Sequence, residues 1–186
     1  FENIMSFQSF SEARFLQNAK PVKTHLEKMH LRLVSDVVLR DRIIRDGAFL
    51  STGQFIISTE NCNSTGGEFG QCYLFDKSGN YLRTINTISN PFGIFLDGWD
   101  IKIVFPSTKH LQVVTSHSFF SVNSNPIQLS EKPFSITRLL NHLYVACSDK
   151  IIKINDRGSR YATFETGPLV KHITCTSSHI IYSNRK

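Results

Sequence analysis

A segment of about 40 residues recurs along this chain, and no other feature of the sequence restricts its fold as strongly. The first copy reads Asp46-Gly-Ala-Phe-Leu, Gln54-Phe-Ile-Ile-Ser-Thr59, Cys72-Tyr-Leu-Phe75 and Tyr81-Leu-Arg-Thr-Ile85. The second reads Pro91-Phe-Gly-Ile-Phe-Leu, Ile101-Lys-Ile-Val-Phe105, His110-Leu-Gln-Val-Val114 and Phe119-Phe-Ser-Val122. The third reads Pro133-Phe-Ser-Ile-Thr, His142-Leu-Tyr-Val-Ala-Cys147, Lys150-Ile-Ile-Lys-Ile154 and Tyr161-Ala-Thr-Phe164. A fourth begins with His172-Ile-Thr and His179-Ile-Ile-Tyr182 and stops. Ala48 to Ile94 spans 46 residues, Ile94 to Ile136 spans 42, and Ile136 to Ile173 spans 37. The first copy is longer because it carries an insert from Glu60 to Gln71, where the third has only Ser148 and Asp149.

Each copy contains four short runs rich in Ile, Val, Thr and aromatics, and the chain has 15 Phe, a composition that favours strands. Turn residues fall between the runs: Leu96-Asp-Gly-Trp99, Asp76-Lys-Ser-Gly79 and Asn155-Asp-Arg-Gly158 supply the tight positions of hairpins. Four strands repeating at this period predict an all-β fold, a partial and open β-propeller of about three to four four-stranded blades. The blades are expected at 46–90, 91–132, 133–168 and, in part, 169–186, within a β region covering 31–186. Three and a half blades close no ring, so the intact protein is expected to carry more. The first residue is Phe1, and the chain reads as a piece of something longer.

Residues 1–30 read differently. Phe10, Ala13, Phe15, Leu16 and Ala19 form an apolar stripe at helical spacing, Pro21 interrupts it, and Val22, Leu26 and Met29 resume it. A short helical segment is expected there. It is a candidate end of a coiled coil through which the intact protein self-associates, and equally a packing helix.

Apolar residues make up 40% of the 186 and charged residues 19%, which is globular composition. No apolar run approaches the roughly 20 residues of a membrane-spanning helix, and no membrane partner is expected. Cysteines stand at 62, 72, 147 and 175 without a C-x-x-C pair, so no zinc site is expected. Cys147 and Cys175 lie in strand-like runs and are expected as buried free thiols; a reducing, cytoplasmic setting follows.

The candidates for chemistry are sparse. Seven histidines are scattered over different blade positions, and no two form an i, i+4 pair with an intervening Glu. A metal-dependent propeller hydrolase needs carboxylates or amides on the strands lining the channel. The runs expected there read Ala-Phe-Leu, Gly-Ile-Phe-Leu, Ser-Ile-Thr and His-Ile-Thr, with no carboxylate. No enzyme activity, cofactor or metal is expected.

Binding residues are therefore sought at the two ends of the blades. One end, made by the links between blades and the turns between second and third strands, takes Lys109, Lys132, Lys150 and Lys171. It also takes Glu60, Glu68, Glu131, Asp149 and Glu165, so it is not a basic patch, although the net charge is +6. The insert places Phe69, its one large apolar side chain, at this end beside Glu68. Trp99 stands at a hairpin turn, as packing over the turn or as an exposed aromatic anchor.

The order Gly-Ala-Phe-Leu-x-x-Gly-x-Phe-Ile-Ile, then Tyr-Leu-Phe-Asp-x-x-Gly-x-Tyr-Leu-Arg-Thr-Ile, resembles NHL-type propellers. So do Asn90-Pro-Phe-Gly-Ile94, Lys132-Pro-Phe-Ser-Ile136, Leu143-Tyr-Val145 and Ile180-Ile-Tyr-Ser-Asn184. The resemblance covers about 140 residues and points to the invertebrate tripartite-motif-like proteins, where a RING, B-boxes and a coiled coil precede a propeller. It implies a module that recognises a substrate or scaffold protein for a ubiquitin-ligase-type assembly. The RING and B-box metal ligands are not among these residues. The alternative reading is RNA binding, as in some NHL propellers; a metal-dependent hydrolase stands behind both.

Overall fold

The computed structural model describes residues 6–11, 42–61, 70–115, 121–122, 125–168 and 170–184. Among them every regular element is a β-strand. The first, β1 (Ser6–Ser11), belongs to the last blade. Blade 1 is β2 (Arg42–Phe49), β3 (Phe55–Asn61), β4 (Cys72–Phe75) and β5 (Tyr81–Ile85), paired antiparallel in that order. Blade 2 is β6 (Ile94–Asp97), β7 (Asp100–Phe105) and β8 (His110–Thr115), with two short strands, β9 (Ser121–Val122) and β10 (Ile127–Gln128), both on β8. Blade 3 is β11 (Ser135–Leu139), β12 (His142–Ala146), β13 (Lys150–Ile154) and β14 (Arg160–Glu165). Blade 4 is β15 (Val170–Cys175) and β16 (His179–Asn184), with β1 added antiparallel to β16 as its third strand.

The expected open run of propeller blades is the observed fold. Three local expectations change. The outer strand of blade 2 was placed at Phe119–Val122, but two short pieces share that position. β9 pairs with Val114 and Thr115, and β10 with His110 and Leu111. Pro126 lies just before β10 and has no N–H to give to a ladder. The helical segment expected over 1–30 includes Ser6–Ser11, which is strand: the open edge of β16 supplies hydrogen-bond partners that outweigh a weak local helical pattern. Residues 12–30 lie outside those described. The inner strand of blade 1 begins at Arg42, four residues before Asp46, the first residue of the first repeat copy.

The inner strands β2, β6, β11 and β15 stand next to one another, and the core lies in the seams between blades. Blades 1 and 2 share Ile56, Leu74 and Ile85 with Ile101, Ile103 and Phe105. Blades 2 and 3 share Val104 and Leu111 with Leu143, Val145 and Ile152. Blades 3 and 4 share Tyr144 and Ile151 with Val170, Ile173 and Tyr182. Each fully buried side chain of this kind stabilises by about 1.5–3 kcal/mol, so the seams are the main source of stability.

An inner strand also carries backbone N–H groups that face the next blade, and burial requires them to be satisfied. The Ile94 N–H donates to Asp46 Oδ2 at 2.9 Å across seam 1–2. The Ile173 N–H donates to Ser135 Oγ at 3.3 Å across seam 3–4. Across seam 2–3 the backbones close in directly, because Gly93 has no side chain; a Cβ there would lie 2.5 Å from the Phe134 carbonyl and 2.9 Å from Ser135 Cα. The same seam holds a four-charge cluster. Asp97 accepts from Lys102 Nζ at 2.6 Å and from Arg138 Nε at 2.8 Å, and Arg138 also binds Asp156. The Lys102 side chain is only 5% exposed, and its ammonium group lies against Asp97 with the Asp156 carboxylate 3.9 Å away.

Two predictions follow from seam 2–3. Gly93→Ala should destabilise the fold by about 1–3 kcal/mol, since the new methyl meets backbone that cannot rotate away; a urea titration reads this. For Asp97, burial alone would raise the carboxyl pKa, but hydrogen bonds and charge from Lys102 and Arg138 outweigh it and hold it below the usual range. A carboxyl depressed in the folded state contributes stability above its unfolded pKa and loses it as the pH falls through the folded value. Wild-type stability should therefore drop below about pH 4. Asp97→Asn should cost about 3 kcal/mol at pH 7 by removing the nearer carboxylate from the buried Lys102 and from Arg138, and should flatten that acid limb in melts from pH 7 to 3.

Candidate functional site

The turns between first and second strands gather at one end of the blades, and each of the first three brings an apolar side chain into solvent. Phe49 closes β2 and is 77% exposed, Trp99 follows β6 and is 56% exposed, and Leu140 follows β11 and is 64% exposed. These residues are neighbours of a tight reversal, where little can cover a side chain. Gly98 takes φ 63° at the first turn position, which leaves Trp99 at the second. Leu140 occupies the first turn position of blade 3, that of Gly98, with φ 54°, a conformation that costs a side-chain-bearing residue about 1–2 kcal/mol. Tyr81 and Tyr161, near the starts of the outer strands β5 and β14, lie at the same end and are also exposed.

Between the first turns of blades 1 and 2 is a cleft of roughly 390 Å³. Trp99 and Phe49 stand at its sides, Leu50, Leu96 and Ile101 form apolar wall, and Ser51, Thr52 and Gln54 supply hydroxyl and amide groups. Apolar walls with a few polar groups suit the anchor side chain of a peptide or protein. The Asp97–Arg138–Asp156 cluster fixes the seam on the other side of the Trp99 turn.

The other end holds the lysines named from the sequence. Lys109 and Trp99 lie at opposite ends of β7. Lys109 donates to the Ser130 carbonyl at 3.4 Å, and Lys150 lies 3.9 Å from Glu131 and 3.8 Å from Asp149. These two therefore meet around the link between blades 2 and 3, each with a local oxygen partner. Lys132 is exposed on that link, and Lys171 is half-buried on β15. The structure does not gather the four into one site with Trp99. Glu68 and Phe69, and Cys62 with them, lie outside the described residues.

The starts of the inner strands also meet at this end. The Phe92 ring lies 5.4 Å from Phe134 and 6.4 Å from His172, and the Arg45 guanidinium sits 5.4 Å above Phe92 while paired with Glu60. Asp46 corrects the expectation that no inner strand carries a carboxylate. Burial raises its pKa against the opposing pull of the Ile94 and Gly47 amides and of His172, and its oxygens accept from those two amides. It works as a seam acceptor. Among the described residues, no group of three or more His, Cys, Asp or Glu is placed to hold a metal. Cys72, Cys147 and Cys175 are free thiols. The first two are buried, and burial pushes the Cys147 thiol up to about 12. Cys175, expected buried, is half-buried, and its S–H donates to the Arg138 carbonyl at 2.9 Å.

The sequence marked Trp99 but not its companions. Phe49 lies inside the first run of its repeat copy, and Leu140 falls between two runs of the third copy, so neither stands out in the sequence. The signal that could have found them is position: each abuts the first hairpin turn of its blade, as Trp99 does.

No protein-family model matches this chain, and no curated protein matches it. Solved structures do. BBS1N in complex with ARL6DN matches 75% of the chain and 45% of its own length at TM-score 0.54 and 16% identity. Regucalcin from Agrobacterium tumefaciens, described as a calcium-binding protein, matches 73% and 50% at TM-score 0.59 and 16% identity. The Pan2 WD40 domain of Neurospora crassa matches 77% and 43% at TM-score 0.59 and 11% identity. The chain spans about half the length of the solved structures it matches. At these identities the likeness is one of fold, and that fold is the β-propeller.

Proposed function

We propose that this chain is a protein-binding module that seats a partner at the first-turn end of its blades. The observation carrying the proposal is the Trp99 cleft: a Trp and a Phe more than half exposed beside an apolar wall. Large aromatics held on rigid turns are the side chains that dominate protein interfaces. Exposed apolar groups at three successive turns widen the surface beyond a single pocket.

The resemblance to NHL-type propellers supports a finer reading, in which the module recognises a substrate or scaffold for a tripartite-motif-like assembly. Ligase chemistry would then belong to a RING outside these 186 residues. Free thiols at Cys72, Cys147 and Cys175 fit a cytoplasmic setting. The local pairing of Lys109 and Lys150 with protein oxygens weakens the RNA reading, because phosphate binding needs free cations on one surface.

Trp99→Ala should leave the melting temperature within a few degrees of wild type while reducing partner affinity at least about tenfold, the effect of removing a hot-spot aromatic. Affinity capture with both proteins, followed by titration of the enriched partner, reads the difference. A partner retained equally by Trp99→Ala removes the cleft from the site. A mixed-sequence RNA bound with steep salt dependence, and lost on Lys109→Glu with Lys150→Glu, would replace the proposal with RNA recognition.

A further inference from the structure

The hairpin between β13 and β14 stands close to the Trp99 turn, and one side chain spans the gap. Arg138 donates from Nε to Asp97 Oδ2 at 2.8 Å and from a terminal nitrogen to Asp156. Asp97 is two residues before Trp99, and Asp156 is one residue before Arg157. A single guanidinium therefore reaches from the edge of the cleft to the tip of the hairpin. The turn belongs to blade 2 and the hairpin to blade 3, and each of these blades has a described blade on both sides.

The hairpin is held rigidly. Asn155 Oδ1 accepts from the N–H groups of Arg157 and Ser159, each at 2.9 Å, and the Gly158 N–H donates to the Asn155 carbonyl at 3.0 Å. Blade 1 builds the same hairpin around Asp76, whose Oδ1 accepts from the N–H groups of Ser78 and Asn80 at 2.8 Å. The two copies differ in charge. In blade 1 the capping carboxylate of Asp76 is followed by Lys77, one charge of each sign. In blade 3 the cap is a neutral amide, and the one carboxylate of the hairpin, Asp156, is engaged by Arg138. Arg157 and Arg160 are both exposed, and among the described residues neither forms an ion pair. Lys109, Lys150 and Arg45 at the other end of the blades each meet an oxygen of the chain. A guanidinium offers a planar fork of donors that fits a carboxylate, and a fixed turn loses little freedom on binding one. The residues lining the Trp99 cleft are uncharged. The cleft therefore selects an apolar side chain, and the choice of charge beside it falls to the hairpin. Two cations next to Asp97 and Asp156 suit a few carboxylates better than a nucleic-acid backbone, which needs a longer run of cations.

We propose that the partner is acidic: a segment whose apolar anchor enters the Trp99 cleft while Asp or Glu side chains beside the anchor are taken by Arg157 and Arg160, an inference that rests on the cleft being a protein-binding site. A display library of random peptides selected on the 186-residue chain should yield a consensus that joins one aromatic or aliphatic residue to Asp or Glu. A peptide of that consensus, titrated by fluorescence anisotropy, should lose affinity at least about tenfold on Arg157→Glu with Arg160→Glu, and added salt should weaken its binding to the wild type. Arg157→Lys with Arg160→Lys keeps the charge without the fork and should recover part of the loss. Lys132→Glu makes the same kind of charge change at the other end of the blades and should leave affinity within about twofold. A consensus without acidic residues, or binding that Trp99→Ala abolishes and the double arginine reversal leaves intact, would overturn the acidic partner and leave the cleft standing. Acidic peptides held equally by Trp99→Ala but lost on the arginine reversal would remove the cleft, and the proposal with it. A library that enriches no peptide would overturn both. A mixed-sequence RNA that binds more tightly than the selected peptide and is lost on the same reversal would assign the two arginines to phosphate and overturn the proposal.

Discussion

A strand at the centre of a blade cannot stand alone, because its two faces and its N–H groups all need partners that only a neighbouring blade supplies. The structure answers this requirement differently at each seam. Asp46 reaches across to one amide and Ser135 to another, while at Gly93 the absence of a side chain lets the backbones touch. Apolar packing supplies most of the energy, but these polar devices decide which backbones can approach. Asp46 illustrates the cost. A carboxylate is buried to hold an amide, and its pKa rises, because hydrogen bonds to Gly47 and Ile94 offset only part of its lost hydration.

The two ends of the blades differ for the same reason. Where first strands turn into second strands, the reversals are short, and a residue beside them cannot fold back onto the core. Phe49, Trp99 and Leu140 are exposed by geometry. At the other end the chain passes from blade to blade along links that lie over the seams. There Lys109 and Lys150 find carbonyl and carboxylate partners, and Phe92, Phe134 and His172 pack on one another. The result is one end with aromatic groups in solvent and another where Lys109, Lys150 and Arg45 each meet an oxygen of the chain.

The seam requirement also governs the outermost blades. Blade 4 gains a third strand from β1, so an edge near one terminus is paired by the other. Among the described residues, no blade covers the face of blade 1 that points away from blade 2. That face carries one ring from each strand, Phe49, Phe55, Phe75 and Tyr81, in contact along the row, with Phe75 buried in the middle.

The repeat, the strand order within a blade and the hairpin turns at Asp76–Gly79, Asp97–Trp99 and Asn155–Gly158 were legible from the residues. Strand alternation and turn chemistry are local, and a period of about 40 residues repeats them often enough to be read. Trp99 could be singled out because Asp97-Gly98 announces its turn. Tertiary structure alone decided the rest. That Asp46 takes the Ile94 amide across a seam, that Arg138 joins Lys102 on Asp97, and that Ser6–Ser11 extends blade 4 all depend on groups 40 or more residues apart, or on an edge left unpaired elsewhere. The placing of Ile56 and Leu74, and not Phe55 and Phe75, in the seam with blade 2 has the same origin. Both faces read as apolar in sequence, and only the position of the next blade determines which becomes core.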